Sequence, residues 1–185
     1  DRLYRESLSN RMRPFLDIAQ IFPRMVRDVA RQLGKSVLFE IAGESTKVDR
    51  DILDRLEAPL AHLLRNAIAH GIEAPEERRR RGKEDTGVIQ LQAWHQAGLL
   101  YISVSDDGGG IDLARLRAKV VERGYCTESM AASMSEQEIL DFIFLPGFST
   151  ATEVTEISGR GVGLDIVQAL VQDLGGSMKV DNREG

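Results

Sequence analysis

Between Asp49 and Gly71, the apolar residues Ile52, Leu53, Leu56, Leu60, Leu63, Leu64, Ala67 and Ile68 recur at steps of three and four. That period belongs to one face of an α-helix, and a stripe this long must be buried against another element. Asp49 is placed to cap the helix and Gly71 to end it. The surface to cover comes from strand-like segments at 36–42, 88–95 and 99–105, the last two joined by a turn through Ala97-Gly98. Earlier, Phe15, Ile18, Ile21, Phe22, Met25, Val26, Val29, Ala30 and Leu33 predict a helical segment that Pro23 kinks or restarts and Gly34 ends. Helices and hairpin-linked strands in clusters, without internal repeats, predict an α+β domain with helices over one face of a sheet.

Beyond the hairpin come a glycine-rich loop at 106–110 and a helix over 112–123. Ser135-Glu136-Gln137-Glu138 then matches a capping box ahead of the apolar run 139–145. Residues 146–160 lack a sustained period and read as a mobile loop. A helix over 161–174, a turn at Gly175-Gly176 and a strand at 177–181 complete the chain. That strand has no partner before Gly185, so the domain is expected to be cut short of its closing strand.

Composition narrows the function classes. A chain of 185 residues, 42% of them hydrophobic, suffices for one buried core, and it shows neither an apolar run of membrane-spanning length nor a signal segment. The single cysteine, Cys126, excludes an internal disulfide framework and an all-cysteine metal site and fits a reducing compartment, so a cytoplasmic location is expected. The net charge is −5, and residues 1–35 carry eight Lys/Arg against four Asp/Glu. No basic footprint for nucleic acid extends along the chain. The one dense basic run, Glu76-Glu77-Arg78-Arg79-Arg80-Arg81-Gly82-Lys83, reads as a short solvated helix with i,i+3 and i,i+4 ion pairs, the alternative being a patch for nucleic acid or a partner. Trp94 is expected to pack on a strand, Cys126 to be a semi-buried thiol, and Met130 and Met134 to flank a helix.

Three constellations could bear chemistry. His62, Asn66 and His70 follow one another at i, i+4 and i+8, each turned by about 40°, so they form a polar stripe beside the leucines. An amide oxygen there could ligate Mg²⁺, which prefers oxygen ligands and shares phosphate oxygens with nucleotides; the stripe also fits ordinary polar residues on a helix flank. Asp106-Asp107-Gly108-Gly109-Gly110 follows an apolar strand. Its glycines allow close backbone approach and Asp106 could accept from an exocyclic amine, although a plain strand-to-helix turn has the same composition. Gly159-Arg160-Gly161-Val162-Gly163 precedes a helix, whose N-terminus can present amides to an anion. It matches neither the dinucleotide fingerprint nor a P-loop. Arg160 is the only basic residue between Gly124 and Met178.

Taken in order, these stretches resemble the GHKL ATP-binding fold, and within it the catalytic domain of CheA-type chemosensory histidine kinases, over roughly 14–185. PLAHLLRNAIAHGIE (59–73) resembles the asparagine box, DDGGGID (106–112) the first glycine box, FLPGFST (144–150) the phenylalanine box and SGRGVGLDIV (158–167) the second glycine box. The resemblance implies a two-layer α/β sandwich, a mixed sheet covered on one face by helices, with an ATP lid at 124–160. It also implies that residues 1–12 end a dimerisation helix and that 13–185 form the ATP-binding domain.

The roles it implies are as follows. Asn66 ligates Mg²⁺, with His62 one turn earlier at the metal or as a base-like group. Asp106 receives the adenine amine, while Gly108 and Gly110 admit the ring. Gly161 and Gly163 bring the last helix to the phosphates, joined by Arg160, Ser149 and Thr150, and His70 and Arg65 touch phosphate. Arg115 keeps the charge where relatives often carry lysine. The implied activity is transfer of the γ-phosphoryl group of Mg-ATP to a histidine on a separate phosphotransfer domain, in cis or in trans. The implied partners are that domain, a downstream response regulator, a chemoreceptor and coupling protein reached through further domains, and a second copy through the dimerisation domain. Two alternatives stand: a GHKL ATPase of another type, which needs a carboxylate where His62 stands, and a nucleotide-binding regulatory module without turnover.

Overall fold

In the computed structural model, residues 11–148 and 163–183 are described. The chain divides into two compact units, with the boundary between Gly109 and Gly110.

The first unit is built on a three-stranded mixed sheet. Strand β2 (Ser36–Ala42) runs parallel to β4 (Thr86–Gln96), which pairs antiparallel with β5 (Leu99–Asp106). Along β4, Ile89, Leu91 and Ala93 are buried while Val88, Gln90, Gln92 and Trp94 are half-buried, which is the period-two signature of a sheet covered on one face. The cover comes from helix α2 (Phe22–Gln32), burying Phe22, Val26, Val29 and Ala30, and helix α3 (Arg50–Asn66), burying Leu53, Leu56, Leu60 and Leu64. Burying such an aliphatic side chain contributes about 2 kcal/mol relative to leaving it exposed. Pro23 sits in the first turn of α2, where its missing N–H costs no helical hydrogen bond, so the helix restarts there after the short α1 (Leu16–Ala19). Ala97 and Gly98 both adopt positive φ, 50° and 79°, as a tight hairpin turn requires. Two short strands escape the sequence patterns: β1 (Met12–Pro14) pairs antiparallel with β3 (Lys47–Asp49). Trp94 is half-buried as expected of a packing residue, and its ring stacks on Tyr101 with centroids 5.3 Å apart.

The basic run needs a correction. Residues Pro75–Arg80 do form a short helix, α4, and Arg79, Arg80 and Arg81 are exposed, but Arg78 is only 1% exposed. Its partners, Glu73 and Asp107, come from outside the helix.

In the second unit the described elements are helical. They are α5 (Leu113–Glu122), α6 (Glu128–Ser133), α7 (Glu136–Asp141) and α8 (Leu164–Asp173), with a 3₁₀ turn at Phe142–Phe144 directly after α7. Leu116, Val120, Ile139, Leu140, Ile143, Phe144 and Phe148 form their common core, against which Cys126, Leu164, Met178 and Val180 pack. The capping box at α7 is complete: the Glu138 amide donates to Ser135 Oγ and the Ser135 amide to Glu138 Oε2. Two expectations change here. Residues 125–148 are not a loose cover, since they supply five of the seven core side chains named above; residues 149–160 lie outside the described residues. No strand forms at 177–181 either. Instead, the Asn182 side chain mimics a strand partner, donating to the Ile111 carbonyl (3.0 Å) and accepting from its amide (2.8 Å).

Candidate functional site

Asp49 starts α3 by accepting from the Asp51 amide at 2.8 Å, which fixes the phase of the helix and with it the face on which His62 and Asn66 lie. One turn apart, the two meet: Asn66 Nδ2 lies 3.1 Å from His62 Nε2. With the amide nitrogen donating to the ring, Asn66 Oδ1 is the oxygen that could serve a hard cation. The described residues contain no cluster of three or more His, Cys, Asp or Glu suited to holding a metal. One side-chain oxygen fits Mg²⁺, which keeps several waters and takes the rest of its shell from phosphates.

At its C-terminal end α3 widens into a π-helical turn at Ala67–Gly71, closed by the Ile72 amide donating to the Ala67 carbonyl at 2.8 Å. Such wide turns recur at functional sites because they re-aim side chains. The Ile68 and Ala69 carbonyls accept from Lys35 Nζ, each at 2.7 Å. His70 stands exposed on this turn, its pKa lowered by partial burial and by the charge of Lys35. Burial also lowers the pKa of Lys35, against the attraction of Glu73.

Gly71 then joins the helix to the loop after β5. The Gly109 amide donates to the Gly71 carbonyl at 2.9 Å, and a Cβ on Gly108 would overlap that same carbonyl, so only glycine fits there. Asp106 Oδ1 accepts from the Gly108 amide at 2.9 Å. Burial raises the pKa of Asp106, reinforced by the neighbouring charges of Asp107 and Glu73 and opposed by the Gly108 amide and Lys83. The structure thus brings Asp106 and Gly108 against the end of the helix that bears His62, Asn66 and His70.

In the second unit, Gly110 adopts φ +68°, and a Cβ there would press on Asn182 Oδ1 at 2.9 Å. Gly163 occupies the N-cap of α8 without a side-chain cap. Arg65 and Arg115 are exposed. Ser149, Thr150, Arg160 and Gly161 lie outside the described residues. Four residues that hold the site together escaped the sequence patterns: Lys35, Glu73, Arg78 and Lys83. For Lys35 the available signal was a lysine directly after a helix-ending glycine and before a strand.

A family model described as histidine kinase-, DNA gyrase B-, and HSP90-like ATPase matches residues 54–185, more than two thirds of the chain. The chain belongs to this family. Among its relatives, the chemotaxis protein CheA of Bacillus subtilis is 43% identical over 96% of the chain. The sensor histidine kinase CheAY of Helicobacter pylori is also 43% identical over 96%, and CheA of Halobacterium salinarum 44% over 95%. The chain spans only 26%, 22% and 26% of those proteins. Among solved structures, the catalytic domain of histidine kinase ThkA in a nucleotide-free form superposes with a TM-score of 0.56 at 21% identity, covering 94% of this chain and 87% of that one. This agrees with the expected GHKL ATPase fold, a mixed sheet with helices over one face. No helix among the described residues is long and apolar enough to cross a membrane.

Proposed function

We propose that this ATPase-family chain is the catalytic domain of a CheA-like histidine kinase. It binds Mg-ATP and transfers the γ-phosphoryl group to a histidine on a separate phosphotransfer domain, from which a response regulator is served. The observation that carries the reading is the meeting at Gly71 of the helix bearing His62 and Asn66 with the loop bearing Asp106 and Gly108. Close similarity to chemotaxis kinases over nearly the whole chain supports it. On this reading residues 1–12 end a dimerisation helix and residues 13–185 form the ATP-binding domain.

The chemistry asks little covalent work of the protein. The acceptor imidazole is already nucleophilic near neutral pH. Its ring nitrogen forms a bond to the γ-phosphorus while the bond to the β,γ-bridging oxygen breaks, and ADP leaves. Phosphoryl transfer rests mainly on position and on screening of charge. A bound Mg²⁺ would neutralise phosphate charge, with Asn66 Oδ1 as its ligand from this chain. His62 holds the Asn66 amide in place through their shared hydrogen bond. Asp106 accepts the adenine amine, and Gly108 and Gly110 let the ring lie against backbone. Amides around Gly161 and Gly163, with Arg160, Ser149 and Thr150, serve the phosphates, and His70 offers them a hydrogen bond. Chemoreceptor, coupling protein and a second copy engage through other domains, and the location is cytoplasmic.

Incubation with γ-labelled ATP, Mg²⁺ and a separate phosphotransfer domain separates the alternatives: labelled protein supports a kinase, free phosphate an ATPase of another type, and neither a regulatory module. Asn66→Asp should reduce labelling at least about 100-fold, the size expected for losing one correctly placed transition-state interaction, with an unchanged melting temperature. Near-normal labelling by that variant overturns the assignment.

A further inference from the structure

We infer that Arg78 and Lys83 are positioning residues that lock the loop Asp106–Gly109 and so set the preference of the site for an adenine over a base without the amine. The inference rests on the reading of Asp106 as the adenine acceptor.

Arg78 is the single charged or polar residue among the described ones that is fully buried. Its Nε donates to the Glu84 carbonyl at 2.6 Å. Nη1 donates to Glu73 Oε2 at 3.0 Å and to the Asp107 carbonyl at 3.3 Å, and Nη2 to Asp107 Oδ2 at 2.9 Å and the Thr86 carbonyl at 3.5 Å. Lys83 Nζ completes the cage, donating to Glu73 Oε1 at 3.2 Å and to the carbonyls of Asp107 and Gly108, both at 2.9 Å. Two cations thus face two carboxylates, and the buried pair, Arg78 with Glu73, yields little net stability compared with apolar packing. What such a network does provide is geometry.

The backbone of the loop shows where that geometry is spent. The Asp107 amide donates to the Val88 carbonyl, its carbonyl is gripped by both cations, and its Oδ1 accepts from the Val88 amide. The Gly108 amide is taken by Asp106 Oδ1, the Gly108 carbonyl by Lys83, and the Gly109 amide by the Gly71 carbonyl. Every polar backbone group from Asp107 to the Gly109 amide therefore has a fixed partner. The Asp106 carboxylate is bonded to this loop, so its aim depends on the two cations that hold the loop, although neither touches it. A carboxylate accepts but cannot donate: held against the edge of the base it rewards an amine donor and opposes a carbonyl, whereas one free to swing away loses that discrimination.

The test is calorimetric affinity for ADP and for inosine diphosphate, which presents a carbonyl where adenine presents its amine, with Mg²⁺ at neutral pH. Wild type, Arg78→Lys, Lys83→Met and Asp106→Asn are compared, each with its melting temperature. Wild type should prefer ADP by at least about tenfold, the scale of one ordinary net hydrogen bond. Arg78→Lys keeps the charge and loses the fork, and Lys83→Met removes the two carbonyl bonds; both should compress the ratio at least about fivefold while inosine diphosphate affinity moves less than about twofold. If Arg78→Lys fails to fold, Lys83→Met decides. A lowered melting temperature with an unchanged ratio makes the cage structural only and overturns the inference. If wild type has no preference, or Asp106→Asn retains it, the reading of Asp106 itself fails and the inference falls with it.

Discussion

Residues 11–109 and residues 110–183 surround their glycine-bearing segments differently. In the first unit the loop at 106–109 is fixed by hydrogen bonds and charge, with Arg78, Lys83 and Glu73 around it. In the second, the backbone after Gly110 is tied by one amide side chain, Asn182, beside a core of Leu116, Val120, Ile139, Ile143, Phe144 and Phe148. Electrostatic fixation is directional and answers to pH and to single atoms, whereas apolar packing is set by volume and largely indifferent to pH. Recognition of a specific base demands the first kind. A scaffold for helices needs only the second.

The largest expected effect tests the apolar side of this contrast. Phe148 is 2% exposed, edge-on to Tyr125 at 5.6 Å and beneath the Arg123 guanidinium at 5.3 Å. Phe148→Ala should cost about 3–5 kcal/mol in urea unfolding, through lost transfer energy and the cavity left behind. The loss should be equal at pH 5 and pH 8, with amide exchange rising most in α5 and α7. An equal rise along the β4–β5 ladder would break the contrast.

Next in size is the charged side. Glu73 would be pushed up by burial, but its own backbone amide, Lys83 and Arg78 more than compensate, so its pKa lies below the ordinary value. A carboxylate lowered on folding adds stability above its unfolded pKa of about 4.3 and loses it as pH falls through the lower folded value. Glu73→Gln should therefore cost about 3 kcal/mol at neutral pH, as breaking a buried pair does, and flatten the acid limb of the stability profile. An acid limb as steep as that of wild type would show that other groups govern it.

Asp106 has the opposite sign. Its raised pKa means that the carboxylate proposed to accept the adenine amine is protonated at a higher pH than a free aspartate would be. ADP affinity should fall about tenfold per pH unit below that raised pKa, as one required ionisation dictates. The Asp106→Asn profile should lack this limb. Parallel wild-type and variant profiles would place the titration elsewhere.

How far the sequence anticipated this follows the range of the interactions. Strands at 88–95 and 99–105 extend by at most two residues at either end in the structure, because period-two burial is a local signal. The stripe from Ile52 to Ile68 gave the helix and its buried face, and the spacing of His62 and Asn66 their contact. Strands β1 and β3, three residues each, are too short for any period. Arg78 was misread as part of a solvated helix face because its buried partner Asp107 lies 29 residues away in sequence, beyond the reach of any local pattern. The 177–181 segment has a strand's composition but forms no strand: Met178 and Val180 pack on the core of the second unit, and the following Asn182 bonds Ile111 through its side chain.

The smallest expected effect asks whether the second unit uses directional bonds anywhere that matters to its stability. Ser135 caps α7, a helix of six residues that buries Ile139 and Leu140 in the core. Its hydroxyl accepts from the Glu138 amide at 3.3 Å, a long bond, while Glu138 Oε2 accepts from the Ser135 amide at 2.7 Å, and these bonds lower the Glu138 pKa. Ser135→Ala removes only the long bond and should cost about 1 kcal/mol, the usual value of an N-cap. Glu138→Gln can keep the reciprocal bond but loses the charge near the helix N-terminus, so it should cost less than Ser135→Ala. Both are measurable in urea unfolding at low salt. A cost for Ser135→Ala approaching that of Phe148→Ala would mean that α7 is held by its cap rather than by its buried face, and the contrast between the two units would lose its apolar half.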